Sequence, residues 1–195
     1  MKDTCSRETA RSAAQNGGGM HGDGIGCAIQ VRRADNDDLA FIHRIRCEEV
    51  THGLSYWEEE VPSLDDTRRW VKQHQEHGIV LIAEADSGDG VRLPFGWAAL
   101  GQWSALSGYR HTREVSIYVD ACARGAGVGR ILLEALIAHA RSLGVHTLLS
   151  LIESRNVASV RLHERCGFRV VGTARHMGRK FDQWLDLTFA QYVFE

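Results

Sequence analysis

From residue 28 onward, two hydrophobic periods trade places along the chain. Residues 29–33 alternate apolar and polar, the period of a half-buried strand. Residues 35–50 then repeat at helical spacing, with Asp35 set to cap and Leu39, Ile42, Ile45 and Val50 near one face. Residues 65–77 read as a second helix, anchored by Leu64 and Trp70 and stopped by Gly78. The apolar runs 79–85 and 95–101 flank a turn cluster at 86–90 and predict a hairpin. In residues 113–120, Val115, Ile117 and Val119 point one way, and Glu114, Ser116 and Tyr118 the other. A helix over 128–143, closed by Gly144, follows a glycine-rich turn. A buried strand over 146–152, a helix over 156–166 ending at Gly167, and strands over 168–173 and 184–194 complete the chain. The order β-α-α-β-β-β-α-β-α-β-β predicts a mixed α/β fold around one sheet.

Residues 1–28 break this pattern. They are rich in glycine and poor in apolar side chains, so burial cannot offset their ordering entropy. A floppy leader is expected there, with Met20 an alternative start, and one folded domain over 29–195.

Composition narrows the function classes. With 23 basic and 25 acidic residues the net charge is −2, against the basic excess that grips a phosphate backbone, so no nucleic-acid partner is expected. The five cysteines are odd in number and widely spaced without a CxxC, which predicts reduced thiols rather than a disulfide framework or zinc site. The histidines form neither HxxxH nor HExxH, so no metal is expected. No run approaches a membrane span and the start lacks an apolar signal core, which together predict a cytoplasmic protein with no membrane partner.

The candidate chemistry begins at Arg124-Gly125-Ala126-Gly127-Val128-Gly129-Arg130, between a strand and a helix. Glycines let main-chain amides approach an anion, and the helix start adds free N–H groups and its positive dipole end. A pyrophosphate suits this setting, and Arg124 and Arg130 add charge-assisted donors. A purely structural turn is the alternative. The loop lacks the Gly-Lys-Ser/Thr of a Walker A site and comes too late for a Rossmann turn.

The segment Arg124-Gly-Ala-Gly127-Val-Gly129 resembles the Arg/Gln-x-x-Gly-x-Gly/Ala acyl-CoA signature of the GNAT acetyltransferase superfamily. Downstream, Asn156-Val-Ala-Ser159-Val-Arg-Leu-His163-Glu-Arg-Cys-Gly167-Phe168 resembles the superfamily's second motif. Three further segments, 108–119, 152–156 and 178–186, are similar to the phosphinothricin and methionine sulfoximine N-acetyltransferase branch, and the likeness spans about residues 29–194. The resemblance implies the acyl-CoA N-acyltransferase fold with splayed central strands, acetyl-CoA as co-substrate, a small-molecule amine as acceptor, and a homodimer. It also implies that the backbone of Ile117, Tyr118 and Val119 pairs with the pantetheine arm. The amides of residues 125–130 would hold the pyrophosphate, and Asn156 and Ser159 would complete that site.

Amines are mostly protonated at neutral pH, so the site needs a base. Glu114 is the candidate, against the alternative of a strand glutamate in a surface pair. His163 stands where many superfamily members carry a tyrosine, and would either protonate the departing sulfur or contact the thiol end of the cofactor. Tyr109, Arg110 and His111 are the substrate-contact candidates, because Arg can clamp a carboxylate or phosphinate with two bonds; an ordinary polar loop is the alternative. Arg179, Lys180 and Trp184 form a second cationic and aromatic cluster, with substrate contact and structure equally open. The leading expectation is N-acetylation of a glutamate- or methionine-like amino acid. The rivals are a protein N-terminal acetyltransferase and a non-catalytic acetyl-CoA sensor.

Overall fold

The computed structural model describes residues 28–86 and 90–195; the expected leader up to residue 27, Met20 included, and the centre of the expected 86–90 turn lie outside the described residues. Seven strands form one sheet: β1 (Gln30–Arg33), β2 (Ile79–Asp86), β3 (Arg92–Gln102), β4 (Thr112–Val119), β5 (Thr147–Glu153), β6 (Arg169–Lys180) and β7 (Gln183–Val193). Their order is β1-β2-β3-β4-β5-β7-β6, and every neighbouring pair is antiparallel except β4–β5. Four helices cover it: α1 (Leu39–Thr51), α2 (Leu64–His77), α3 (Val128–Ser142) and α4 (Val157–Arg165). The sequence of elements is the expected one.

Local chemistry explains the boundaries. Asp35 does cap, but it caps a 3-10 turn at Asn36–Asp38 in a reciprocal box with Asp38, and α1 starts only after it. Ser63 and Asp66 form the same box at the start of α2. Within α2 the expected anchor Leu64 is exposed, and Thr67 and Val71 make the buried contacts instead. β6 runs well past the expected 168–173, with bulges between Val170 and Gly172 and between Ala174 and Gly178, where His176 takes φ 51°. Among the described residues, Cys47 and Cys166 are free thiols, and Cys5 and Cys27 lie outside them.

The two faces of the sheet bury different partners. Leu132, Leu133 and Leu136 of α3 pack with Val115, Leu100 and Ala98 on one face. Ile42 and Ile45 of α1 and Val71 of α2 pack with Trp97, Ala99 and Ile82 on the other. The alternation in β4 therefore sends Val115, Ile117 and Val119 toward α3, and Glu114, Ser116 and Tyr118 toward α1 and α2.

Candidate active site

The centre of the sheet comes apart. β4 stays paired with β3 as far as Val119, but its pairing with β5 covers only Thr112–Val115 against Thr147–Ser150. Beyond that point the two parallel strands diverge, so the β5-facing main-chain groups of residues 116–119 meet no strand among the described residues. A cavity of about 1240 Å³ fills the gap. Its walls come from both sides of the sheet: Arg46, Trp70, Trp97 and Tyr118 on the α1–α2 side, and Val128, Gly129, Ser159 and His163 on the α3–α4 side. The cavity is thus a passage through the sheet, able to admit one reactant from each face.

At the α3 end, Gly125 and Gly127 adopt φ of 81° and 85°, a conformation open to glycine and strained for other residues. Gly127 is the cap residue of α3, and its carbonyl accepts from Arg130 N at 3.0 Å and Ile131 N at 3.2 Å. The N–H groups of the first turn, at Val128 and Gly129, have no acceptor within the helix and both residues line the cavity. Arg124, Gly125 and Arg130 line it too, whereas Ala126 is buried in the core behind the loop. Arg124 is held by Val119 O at 3.2 Å and Glu49 at 3.2 Å, and Arg130 by Glu134 at 2.7 Å. This bare nest of amides, set on a helix start beside an unpaired strand edge, fits a diphosphate carrying an extended amide-bearing arm. Asn156 caps α4 by accepting from Ser159 N at 3.1 Å, which brings both to the same wall.

Glu114 lines the cavity near the point of divergence, directly across the β3–β4 ladder from Gly101. Its half-buried carboxyl is pushed above the ordinary glutamate range by loss of solvent. His163 is buried, and its Nδ1 lies 2.8 Å from Ser159 O, an atom that can only accept. Nδ1 therefore carries the proton, and Nε2 presents a lone pair with no partner among the described residues. Burial also lowers the pKa of His163, keeping it neutral.

Of the expected site residues, Glu114, Ile117, Tyr118, Val119, the loop and helix start 124–130 apart from Ala126, Asn156, Ser159 and His163 share this one cavity. Tyr109, Arg110 and His111 do not: all three are exposed on the turn before β4, outside the cavity wall. Lys180 is buried and donates to the carbonyls of Glu49 at 2.8 Å and Tyr56 at 2.6 Å, tying the β6–β7 hairpin to the last turn of α1 and the segment after it, while Trp184 and Arg179 are exposed. Sequence reading missed Arg46, Trp70, His74 and Trp97 on the α1–α2 side. The signal for Arg46 was its place four residues after Ile42, a charge in an otherwise apolar stripe. Among the described residues, no group of His, Cys, Asp and Glu is arranged to hold a metal ion, and no helix is long and apolar enough to cross a membrane.

Comparison with known proteins agrees with this geometry. Residues 31–189 match the family described as acetyltransferase (GNAT) domain. The L-methionine sulfoximine/L-methionine sulfone acetyltransferase of Salmonella typhimurium is 37% identical over 84% of this chain and 93% of its own length. The phosphinothricin N-acetyltransferase of Alcaligenes faecalis is 35% identical over 85% of this chain and 82% of its own. An acetyltransferase from Salmonella typhimurium solved with its cofactor acetyl-CoA superposes with a TM-score of 0.80 at 38% identity, covering 86% of this chain and 94% of that one. The splayed strands, the amide nest and the sequence match converge: the chain belongs to the GNAT acetyltransferase family, and acetyl-CoA is its co-substrate.

Proposed function

We propose that the protein acetylates the amino group of a small amino acid of the methionine sulfoximine, methionine sulfone or phosphinothricin type, by direct attack on acetyl-CoA with Glu114 as general base. The activities named for its relatives support the substrate class. The observation that carries the chemistry is that Glu114 shares one cavity with the open edge of β4 and the start of α3.

In this reading the diphosphate rests on the amides of residues 125–130, and the arm runs along Ile117, Tyr118 and Val119 toward Glu114. The ammonium of the amino acid gives a proton to Glu114 and becomes a nucleophile. Its nitrogen bonds to the acetyl carbon as the carbon–sulfur bond breaks, and main-chain N–H groups of the open edge offset the charge developing on the carbonyl oxygen. The nitrogen's second proton goes to the departing thiolate. His163 has no proton at Nε2 to give, so its role is to accept a hydrogen bond at the thiol end of the cofactor. Asn156 and Ser159 shape the wall beside it.

The test is thiol release from acetyl-CoA with a panel of amines: phosphinothricin, methionine sulfoximine, methionine sulfone and a short peptide. Turnover with the amino acids is expected. Release with the peptide alone would turn the reading toward protein N-terminal acetylation, and release with none toward a sensor.

We further propose a homodimer working in the cytoplasm, where acetyl-CoA is available. Support for the dimer is the long edge strand β6 and its exposed apolar neighbours Val171, Met177, Phe181 and Trp184. Trp184, 60% exposed, is the largest of them. Trp184→Glu is expected to convert the dimer to a monomer in light scattering; a wild-type protein that is already monomeric at the same concentration removes the proposal.

A further inference from the structure

The α1–α2 side of the cavity holds a cation that the transfer chemistry does not use. Arg46 projects from α1 and is only 6% exposed, yet it forms no ion pair among the described residues. The nearby Glu49 is engaged by Arg124. One guanidinium nitrogen, Nη2, donates to the Tyr56 hydroxyl at 2.8 Å, and the group lies 4.7 Å from the centre of the Trp70 ring and 5.5 Å from that of Tyr56. The other, Nη1, has no partner among the described residues. Trp97, 2% exposed, likewise has a buried indole N–H without an acceptor among the described residues, and it packs on the same Trp70 at 5.2 Å. Both residues line the cavity.

Withdrawing a guanidinium from water costs free energy that ring contacts and one neutral hydroxyl offset only in part. A second orphaned donor packed on the same Trp70 ring compounds the cost. A fold retains such an arrangement when an acceptor arrives with the ligand. Resting on the amino-acid reading above, we propose that Arg46 and Trp97 form the clamp for the substrate's anionic oxygens, a carboxylate or phosphinate, and so determine acidic amino-acid specificity. Nη1 is covered, so ligation turns the guanidinium in its own plane and exchanges the Tyr56 hydroxyl for the anion. The clamp and the base line the same cavity. Trp70 stacks on His74 at 4.0 Å, and His74 abuts Gly101, which faces Glu114 across the ladder.

The test replaces Arg46 by methionine, which keeps length and removes charge. Arg46→Met is expected to raise KM for methionine sulfone about 100-fold, the loss of a charge-assisted bond, and to move KM for acetyl-CoA by less than about threefold. The carboxamide of methionine sulfone, which lacks the anion, should be used equally poorly by both proteins. Loss confined to phosphinothricin would identify the phosphinate as the clamped group; loss with both acids would identify the carboxylate. Trp97→Phe retains the ring and should raise the same KM about tenfold. A merely structural guanidinium would lower Tm when removed, whereas an uncompensated one leaves Arg46→Met at least as stable as wild type. KM values for both acids within about threefold of wild type, or a rise seen in Arg110→Ala instead, would overturn the clamp. Should wild type turn over no amino acid, the functional reading fails separately. The clamp is then judged by melting: it stands where methionine sulfone raises Tm of wild type and not of Arg46→Met, and falls where the two proteins respond alike.

Discussion

Glu114→Gln lowers kcat by at least about 100-fold at neutral pH with both substrates saturating, the usual loss on removing a general base. The amide fills the same space across from Gly101 but cannot take a proton, so acetyl-CoA affinity by calorimetry stays close to wild type. The pH profile carries the diagnostic. Loss of solvent raises the pKa of Glu114, so wild-type kcat falls as pH drops through a value above the ordinary carboxylate range, and the Gln variant lacks that limb. Stability moves in the opposite sense. A carboxyl whose folded pKa exceeds its unfolded value binds its proton more tightly when folded, so stability declines as pH rises through the interval between the two. Glu114→Gln escapes that decline: its Tm exceeds wild type at neutral pH, and the two converge below about pH 4. Equal kcat in the two proteins would remove Glu114 from proton transfer.

Much of the α3 side of the cavity was legible in the sequence because it depends on local signals. Glycines at 125 and 127 announce a turn with positive φ, the apolar stripe of α3 announces the helix behind it, and the alternation in β4 assigns Glu114 to the face opposite Val115. The α1–α2 side was not, because it is assembled from elements far apart in the chain. Arg46 of α1, Trp70 of α2 and Trp97 of β3 meet only once the helices pack on the sheet, and nothing in their spacing records that meeting. Tyr109, Arg110 and His111 are the converse: the residue types suit an anion clamp, but their turn carries them out to solvent. The far half of β6 was missed because Arg175–Arg179 has no apolar alternation; pairing with β7 alone makes it a strand.

The two sides then divide the labour. In the proposed reading cofactor binding rests on backbone groups, whereas the α1–α2 wall offers side-chain donors and rings that a substitution alters directly. Substrate choice within this fold is therefore expected to vary through α1, α2 and β3 while the start of α3 stays unchanged.

Gly127→Val is expected to abolish acetyl-CoA binding. Two costs are separable at this position. The first is backbone strain, since φ of 85° is hard for a β-branched residue, at about 1–3 kcal/mol. The second arises only with ligand: Gly127 lines the cavity, and a Cβ there would meet no described protein atom within 4 Å, so the ligand is what it would crowd. There it covers the first-turn amides, and losing two charge-assisted bonds costs about 3–6 kcal/mol, or more than about 100-fold in affinity. Gly144 supplies the control, because it too has positive φ, 66°, and an unobstructed Cβ, but lies just beyond the opposite end of α3 and away from the cavity. Gly144→Val should show a comparable drop in Tm and bind acetyl-CoA like wild type, while Gly127→Val shows the drop and no binding heat. Wild-type affinity in Gly127→Val would mean that the diphosphate rests somewhere other than the start of this helix.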